Sequence, residues 1–519
     1  MKKQILLSFA FIFSMCMVFA AVTEHRWEDW YITFRASKNL ALGNGLVFNV
    51  GERLMTYTSP LGTLMPAFVK FIFKNSSDDV AIWGYRVLCG LVLASATFYL
   101  DRIFTKINLP RGFYFLAIFL FSFNFLVIDN TINGMESAFM VFFEIYLISI
   151  LVTQPRQLTL QLAIAFAGLM FSRPDGFIYG GALILSLFLF GKLTLLKWEQ
   201  ANLLVFAKAL GIAILFFAPW IAWTWVYYGT PIPHTIIAKA RHYDVQFFIT
   251  ATSNFIQNFK GSPNLYLPAY AVNFGSWPIF TPIAALISII SLFYWLNPKG
   301  NPIARGLSFA SMIMIYYLNV VSGLGPSPWY LPSAITPSLL VLCLALSDLY
   351  ASKIKVAFYP VLIGLASFTA LTFYQGTRVI RNQQRIVEFG NREQIGKWIK
   401  AHKQPNDTGF MECLGYIGFY SELKTFDYPG MSSPEMVKAR KTIKSENYAD
   451  LINYLRPTWL ILRAGESSEI AARIPELMQK HYKLVKTFDQ REAVNRANLP
   501  FGKNYLYVDA HFVVYHRTY

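Results

Sequence analysis

Two adjacent carboxylates, Glu28 and Asp29, follow the first apolar segment within the run Trp27-Glu28-Asp29-Trp30-Tyr31. A carboxylate placed where a chain leaves a bilayer is costly, and the low local dielectric raises its basicity. Asp29 or Glu28 is therefore suited to take a proton from an acceptor hydroxyl as a general base. The structural alternative is an acidic helix start stabilised by the N-terminal dipole, with Trp27 and Trp30 as interface anchors.

Four further polar clusters interrupt the apolar pattern: Asn133-Gly134-Met135-Glu136, Ser172-Arg173-Pro174-Asp175-Gly176, residues 229–239, and Pro326-Ser327-Pro328-Trp329-Tyr330. Arg173 presents a fork of donors to a phosphate, or pairs internally with Asp175 and shapes the turn. Lys239 and Arg241 could add phosphate contacts, and His234 a hydrogen bond, unless it is an ordinary interfacial histidine. Trp329 and Tyr330 read equally as belt aromatics or as a stacking surface for a sugar or prenyl chain. Glu136 opens a helix, so capping is its structural role.

These clusters need a membrane scaffold to hold them. The 519 residues are 55% hydrophobic and 14% charged, against about 25% charged in an average soluble domain. Apolar runs predict eleven spans, near residues 5–22, 80–100, 112–128, 137–152, 158–171, 176–190, 203–227, 278–296, 307–322, 331–347 and 356–373. The predicted fold is mostly α, a polytopic transmembrane bundle over 1–374 followed by a soluble α/β domain over 375–519. Lys2, Lys3, Arg102, Lys106, Arg111, Arg156, Lys192, Lys197, Lys299, Arg305, Lys353 and Lys355 fall on one side of such a bundle. The short turns at 129–135, 172–175 and 323–330 carry only Arg173, which places every polar cluster at the outer face and the tail beside them. Residues 54–73 are apolar, but a twelfth span would break this bias, so they are expected to be re-entrant or in-plane. Residues 5–22 behind Lys2-Lys3 read as a retained first helix rather than a cleaved signal.

Two long outer loops are expected. In the first, 23–79, Tyr31, Phe34, Ala41 and Leu42 share a helix face away from Arg35 and Lys38, which predicts an interfacial amphipathic helix ended at Gly43. The second, 229–276, carries Pro231, Pro233, Pro263 and Pro268. In the tail, 378–402 and 468–482 read as helices, and 457–462 and 505–515 as strands. The net charge is +17, and the tail holds 22 Lys/Arg against 15 Asp/Glu. This balance suits anionic lipid or phosphate partners, and no basic-aromatic motif points to nucleic acid. Cys16, Cys89, Cys343 and Cys413 form neither a CxxC nor a disulfide framework.

The run Glu28-Asp29-Trp30-Tyr31-Ile32-Thr33-Phe34-Arg35, with Gly43-Asn44-Gly45-Leu46-Val47-Phe48-Asn49 and Tyr57-Thr58-Ser59-Pro60-Leu61, resembles the first outer loop of bacterial GT-C glycosyltransferases. Mycobacterial terminal arabinofuranosyltransferases are similar. Asn133-Gly134-Met135-Glu136, Arg173-Pro174-Asp175-Gly176, the stretch 233–239 and Pro328-Trp329-Tyr330 match further landmarks in the same order. In the tail, Gly415-Tyr416-Ile417-Gly418 and Asp427-Tyr428-Pro429-Gly430 match loosely. Glu28 stands where relatives often have Asp, and His234 where they often have Asn.

The resemblance implies a polyprenyl-phosphate-linked sugar donor, inversion at the anomeric carbon, and a first-loop carboxylate as base. Carried onto this chain, the base is Asp29 with Glu28 beside it. Arg173, Lys239, His234 and Arg35 would contact the donor phosphate. Tyr57, Thr58, Glu136, Asp175, Trp329 and Tyr330 would contact donor or acceptor. The expected partners are that donor, a glycan or protein acceptor and membrane lipid. No cofactor or metal is required, because side-chain cations can stabilise a monophosphate leaving group, although a divalent ion is compatible. The expected activity is transfer of arabinofuranose or a similar pentose at the periplasmic face of a bacterial inner membrane. Protein O-glycosyl or mannosyl transfer is the nearest alternative. Transport of a lipid-linked sugar is the other, but the charges gather at one surface and no internal repeat is found.

Overall fold

The computed structural model describes residues 2–191, 200–240, 243–261, 265–267, 279–322 and 327–518. Lys192, Lys197, Arg241, Pro263, Pro268 and Pro326 lie outside them, as does the first half of the 323–330 turn.

The apolar runs fold as helices because only a helix satisfies every backbone group within its own segment in lipid. They begin with α1 (Lys2–Thr23), α2 (Trp30–Leu42), α3 (Pro60–Ile72), α4 (Asp78–Lys106), α5 (Arg111–Ser122), α6 (Phe125–Ile132) and α7 (Ser137–Thr153). Next come α8 (Leu158–Ser172), α9 (Gly176–Phe190), α10 (Gln200–Tyr228), α11 (His234–Ala238) and α12 (Val245–Gly261). Helices Phe280–Phe293, Pro302–Tyr316, Leu331–Ala351 and Phe358–Asn382 complete the bundle.

Eleven full-length spans do not emerge. Six helices among the described residues are long and apolar enough to cross a membrane, or seven if α5 and α6 count as one span bent by 58°. The 15-residue α8 and α9 reach only about 22 Å at 1.5 Å per residue, short of a hydrocarbon core of about 30 Å. The bend between α5 and α6 comes from Asn124, whose side chain accepts from the Val127 N–H at 3.0 Å and starts a new helix.

That bend brings α6 to the end of α1. His25 Nδ1 and Asp129 Oδ1 meet at 2.6 Å, and Trp27 N–H donates to Asn133 O at 2.8 Å. The Arg86 guanidinium, from α4, donates to Glu24 O, His25 O and Ile132 O, capping carbonyls that the ends of α1 and α6 leave open. Gly134 holds φ at +107°, and a Cβ there would lie 2.2 Å from the Trp30 ring. No larger residue fits this crossing.

The first outer loop departs from an interfacial helix with one free face. α2 ends as expected at Gly43, φ +89°, but Trp30, Tyr31, Ile32, Phe34, Ala36 and Ser37 are all buried. Ser37 Oγ donates to Thr63 O of α3 at 2.8 Å. On the other side, Tyr31 and Phe34 meet Tyr416 and Phe419 at ring distances of 4.4 and 5.6 Å. The helix is sandwiched, so its amphipathic pattern records two protein neighbours rather than lipid and water. Residues 54–73 yield only the 13-residue α3, too short to span, with Phe68, Phe71 and Ile72 exposed.

Composition changes near residue 375, but the chain does not break there: one helical segment runs from Lys355 to His402, through a π-helical stretch, Gln383–Arg392. Beyond it lies a five-stranded sheet in the order β2-β1-β3-β5-β4. β1 (Thr408–Met411), β2 (Lys424–Asp427) and β3 (Trp459–Arg463) are parallel, whereas β5 (His511–Arg517) runs antiparallel to β3 and β4 (Tyr482–Asp489). The expected strand over 505–515 is half wrong, because Lys503–Val508 is helical and only the later residues join the sheet. The expected helix over 468–482 is two helices, Ala464–Arg473 and Pro475–His481, since Pro475 cannot continue the first.

Candidate active site

Asp29 occupies the N-cap position of α2, yet its side chain makes no capping hydrogen bond. Asp29 thus stands at an acidic helix start, where the dipole can stabilise it, and its carboxylate also faces a cavity. That cavity has a volume of about 180 Å³ and is lined by Trp27, Glu28, Asp29 and Trp329 on the membrane side. The tail supplies the opposite wall with Gln383, Arg392, Glu412, Cys413, Arg463 and Tyr505.

Glu28 is fixed by the tail. Its Oε1 accepts from the Gly415 N–H at 2.5 Å, in the first turn of helix Leu414–Ser421. Burial, and next the neighbouring Asp29, push the Glu28 carboxyl well above its usual range, although Arg392 opposes the shift. Among the described residues, no backbone N–H donates to the Asp29 carboxylate, whereas Glu28 accepts from Gly415.

The two cavity arginines are braced by carboxylates. Arg392 donates to Glu388 at 2.8 Å and Asp509 at 2.7 Å. Arg463 donates to Glu412, Glu466 and Asp509 at 2.6–2.7 Å. Burial would raise the Asp509 carboxyl, but these guanidiniums hold it below the usual carboxylate range. Cys413 Sγ lies 3.0 Å from Arg463 Nη2, while burial keeps the thiol well above its ordinary value.

A second cluster forms where three helix ends meet. Arg173, at the end of α8, donates to Glu136 Oε1 at 2.9 Å and grips Asp175 through Nε and Nη2 at 2.9 and 3.2 Å. Glu136 stands at the start of α7 and Asp175 at the start of α9. Tyr317 OH donates to Asp175 Oδ2 at 3.0 Å. The Arg173 guanidinium stacks 3.8 Å from the Tyr330 ring centre. Tyr330 touches Trp329, and Trp329 meets Trp27 edge-on at 5.4 Å. Arg173 is therefore outside the lining of the Asp29 cavity, linked to it through two aromatic rings. The internal pair with Asp175 is present, and Glu136 joins it.

Several comparisons bear on this arrangement. Residues 378–515 match the family described as Domain of unknown function (DUF8728). A terminal beta-(1->2)-arabinofuranosyltransferase of Corynebacterium glutamicum is 26% identical over 320 residues, which is 56% of this chain. The matched part spans 41% of that relative's length. ArnT from Cupriavidus metallidurans superposes with a TM-score of 0.56 at 10% identity, covering 99% of this chain and 98% of ArnT. The same enzyme bound to undecaprenyl phosphate gives 0.53. The oligosaccharyltransferase AglB from Archaeoglobus fulgidus, in complex with an inhibitory peptide and a dolichol-phosphate, gives 0.54 at 11% identity over 93% of this chain and 73% of AglB. The chain shares the fold of ArnT and AglB, the GT-C fold.

Within this GT-C fold, the remaining candidates lie in other surroundings. Arg35 donates to Gly418 O at 2.7 Å and Asn49 Oδ1 at 3.2 Å, with its guanidinium 4.1 Å from the Phe48 ring centre. Burial pushes it down to about 10. Its fork, expected on the donor phosphate, joins α2 to the tail in this structure. Tyr57 OH meets Tyr228 OH at 2.9 Å, beside α10. Thr58 precedes the Ser59 cap of α3, whose Gly62 packs near Glu136. His234 N–H donates to Met55 O at 2.8 Å. Its imidazole faces the 430–433 turn of the tail, and burial pushes its pKa down. Lys239 ends α11 and has no ion pair among the described residues.

Arg392, Glu412, Cys413 and Arg463 are cavity residues that sequence reading missed. The one sequence signal near them was the Gly415-Tyr416-Ile417-Gly418 run. A Cβ on Gly415 would sit 1.9 Å from Glu28 O, which explains the glycine. It marks where the tail packs directly on the acidic pair.

Proposed function

We propose that this chain is an inverting glycosyltransferase that moves a sugar from a polyprenyl-phosphate donor to a glycan or protein acceptor. The observation that carries this reading is Asp29: a carboxylate with no capping bond, open to a cavity, in a chain of GT-C fold. Asp29 removes the acceptor hydroxyl proton as that oxygen attacks the anomeric carbon. The bond from this carbon to the phosphate oxygen breaks on the opposite face, and polyprenyl phosphate leaves. Base catalysis of this kind contributes about 10²–10⁴ in rate.

Cations oppose the charge that develops on the leaving phosphate. Arg173 is linked to the cavity through Tyr330 and Trp329 and has a planar fork, on which the incoming phosphate would replace Asp175. Lys239 and His234 supply the approach from the second outer loop. Trp27 and Trp329 give the cavity an aromatic wall for a sugar face. The bias of lysine and arginine toward the opposite loops supports a location of this site at the periplasmic surface. The tail beyond residue 375 closes the cavity and positions the acceptor. The sugar we favour is arabinofuranose or a similar pentose, in keeping with the arabinofuranosyltransferase relative.

The test is incubation of purified protein with a panel of polyprenyl-phosphate pentoses and hexoses and candidate acceptors, followed by mass spectrometry. Release of polyprenyl phosphate coupled to a glycosylated product supports the reading, and the productive donor names the sugar. No turnover of any donor by folded protein contradicts it.

A further inference from the structure

A second cavity, about 380 Å³, opens between α12 and the π-helical turn Tyr317–Val321. Its α12 wall is one polar stripe with a residue every turn: Gln246, Thr250, Asn254 and Asn258. Phe247 and Phe255 flank the stripe, and Asn319 faces it. Among the described residues, no charged side chain lines this space.

The helix is docked rather than loosely apposed. Thr252 Oγ1 meets Tyr316 OH at 3.0 Å, Tyr243 OH donates to Ser322 O at 3.3 Å, and Phe255 stands edge-on to Tyr316 at 5.8 Å. The other face of α12 exposes Val245, Phe248, Ile249 and Ile256, the apolar side of a helix lying along a membrane surface. The four polar residues of the stripe are exposed along the mouth of the cavity, while Thr252 and Phe255 face the bundle. Asn319 donates through Nδ2 to Ile315 O at 2.8 Å, which orients its Oδ1. Two residues earlier, Tyr317 holds Asp175 and so the Arg173 cluster. π-helical turns of this sort gather at functional sites.

The lining has a definite chemical preference. Each Asn or Gln offers two donors and an acceptor oxygen, and a threonine hydroxyl does both jobs. Such groups match vicinal hydroxyls, which also donate and accept, while the phenyl rings suit the apolar face of a sugar ring. With no cation in the lining, a phosphate or carboxylate is poorly matched.

We propose that this cavity is a binding subsite for an uncharged sugar unit of the substrate, an assignment that rests on the transferase reading above. The sugar belongs either to the lipid-linked donor or to the acceptor glycan; both present the same hydroxyl chemistry.

The test is direct binding, which needs no turnover. Detergent-purified Asp29→Asn protein is titrated with neutral arabino-, xylo- and mannopentaose and with a galacturonic acid pentamer, using saturation-transfer NMR. The expected result is saturable binding of at least one neutral sugar, weak or absent binding of the acidic one, and a loss of about tenfold or more in affinity, a single hot-spot contact's worth, in Asn254→Leu/Asn258→Leu. Asn319→Leu serves as a second variant on a different element. No binding of any neutral sugar, or equal binding in all variants, overturns the proposal. In the transfer assay, with the same substitutions made in protein that retains Asp29, a raised KM for acceptor or for donor identifies which sugar occupies the cavity, and unchanged KM values for both overturn it. Binding without turnover in wild-type protein would instead fault the transferase reading and leave the subsite standing.

Discussion

The Gly415 N–H donates to Glu28 Oε1 at 2.5 Å, joining residues 387 positions apart. This bond seats the tail on the acidic pair and sorts the two carboxylates: Glu28 is anchored, and Asp29 is open to the cavity. Burial and Asp29 push the Glu28 carboxyl above its ordinary 4.5, so the folded chain keeps a proton that the unfolded chain releases. Stability should then fall as pH rises from 4.5 toward the folded value. Glu28→Gln still accepts from Gly415 and should flatten that fall in melting temperatures taken from about pH 4.5 to about pH 8. An identical decline in both proteins would place its origin elsewhere.

Gly415→Ala should unseat the tail. The added carbon meets Glu28 O at 1.9 Å, a backbone atom that cannot swing aside. Such overpacking costs about 1–3 kcal/mol, and limited proteolysis between the bundle and the sheet should quicken. Protection equal to wild type would show that the contact relaxes without undocking.

Arg173→Ala should destabilise the bundle by about 3–5 kcal/mol, the usual cost of stranding a buried partner. Glu136, only 8% exposed at its side chain, loses its cation. Adding Glu136→Gln should recover part of the loss in thermal unfolding. If the double variant melts no higher than the single one, the pair is not what holds these helix ends.

Arg35→Ala separates structure from binding. Because Arg35 bonds Gly418 O and Asn49, its loss should lower melting temperature while leaving donor affinity per folded molecule unchanged. A selective fall in donor affinity would return Arg35 to the phosphate site.

The membrane helices were legible because a long apolar run has few options in lipid, and Gly43 marked the end of α2 by its left-handed conformation. The bend at Asn124 was not legible, since a cap signal inside an apolar run looks like a tolerated polar residue. The segment 505–508 alternates Tyr-Leu-Tyr-Val like a strand, yet Gly502, at φ +83° and packed on Val379, turns it into a helix. The pairing of Arg173 with Asp175 is one of two readings that the sequence leaves open, and Glu136 reaches them only through the fold. Arg392 and Arg463 carry no local pattern. They meet Asp29 across more than half the chain, and only the docking of the tail brings them there.

Asp29→Asn is the most direct measurement of the central claim. Donor binding and product formation are followed together, with wild type alongside, using the polyprenyl-phosphate sugar that the panel identifies. The account predicts unchanged donor affinity and a loss of transfer of about 10²–10⁴. Full transfer by a well-folded Asp29→Asn protein would contradict it.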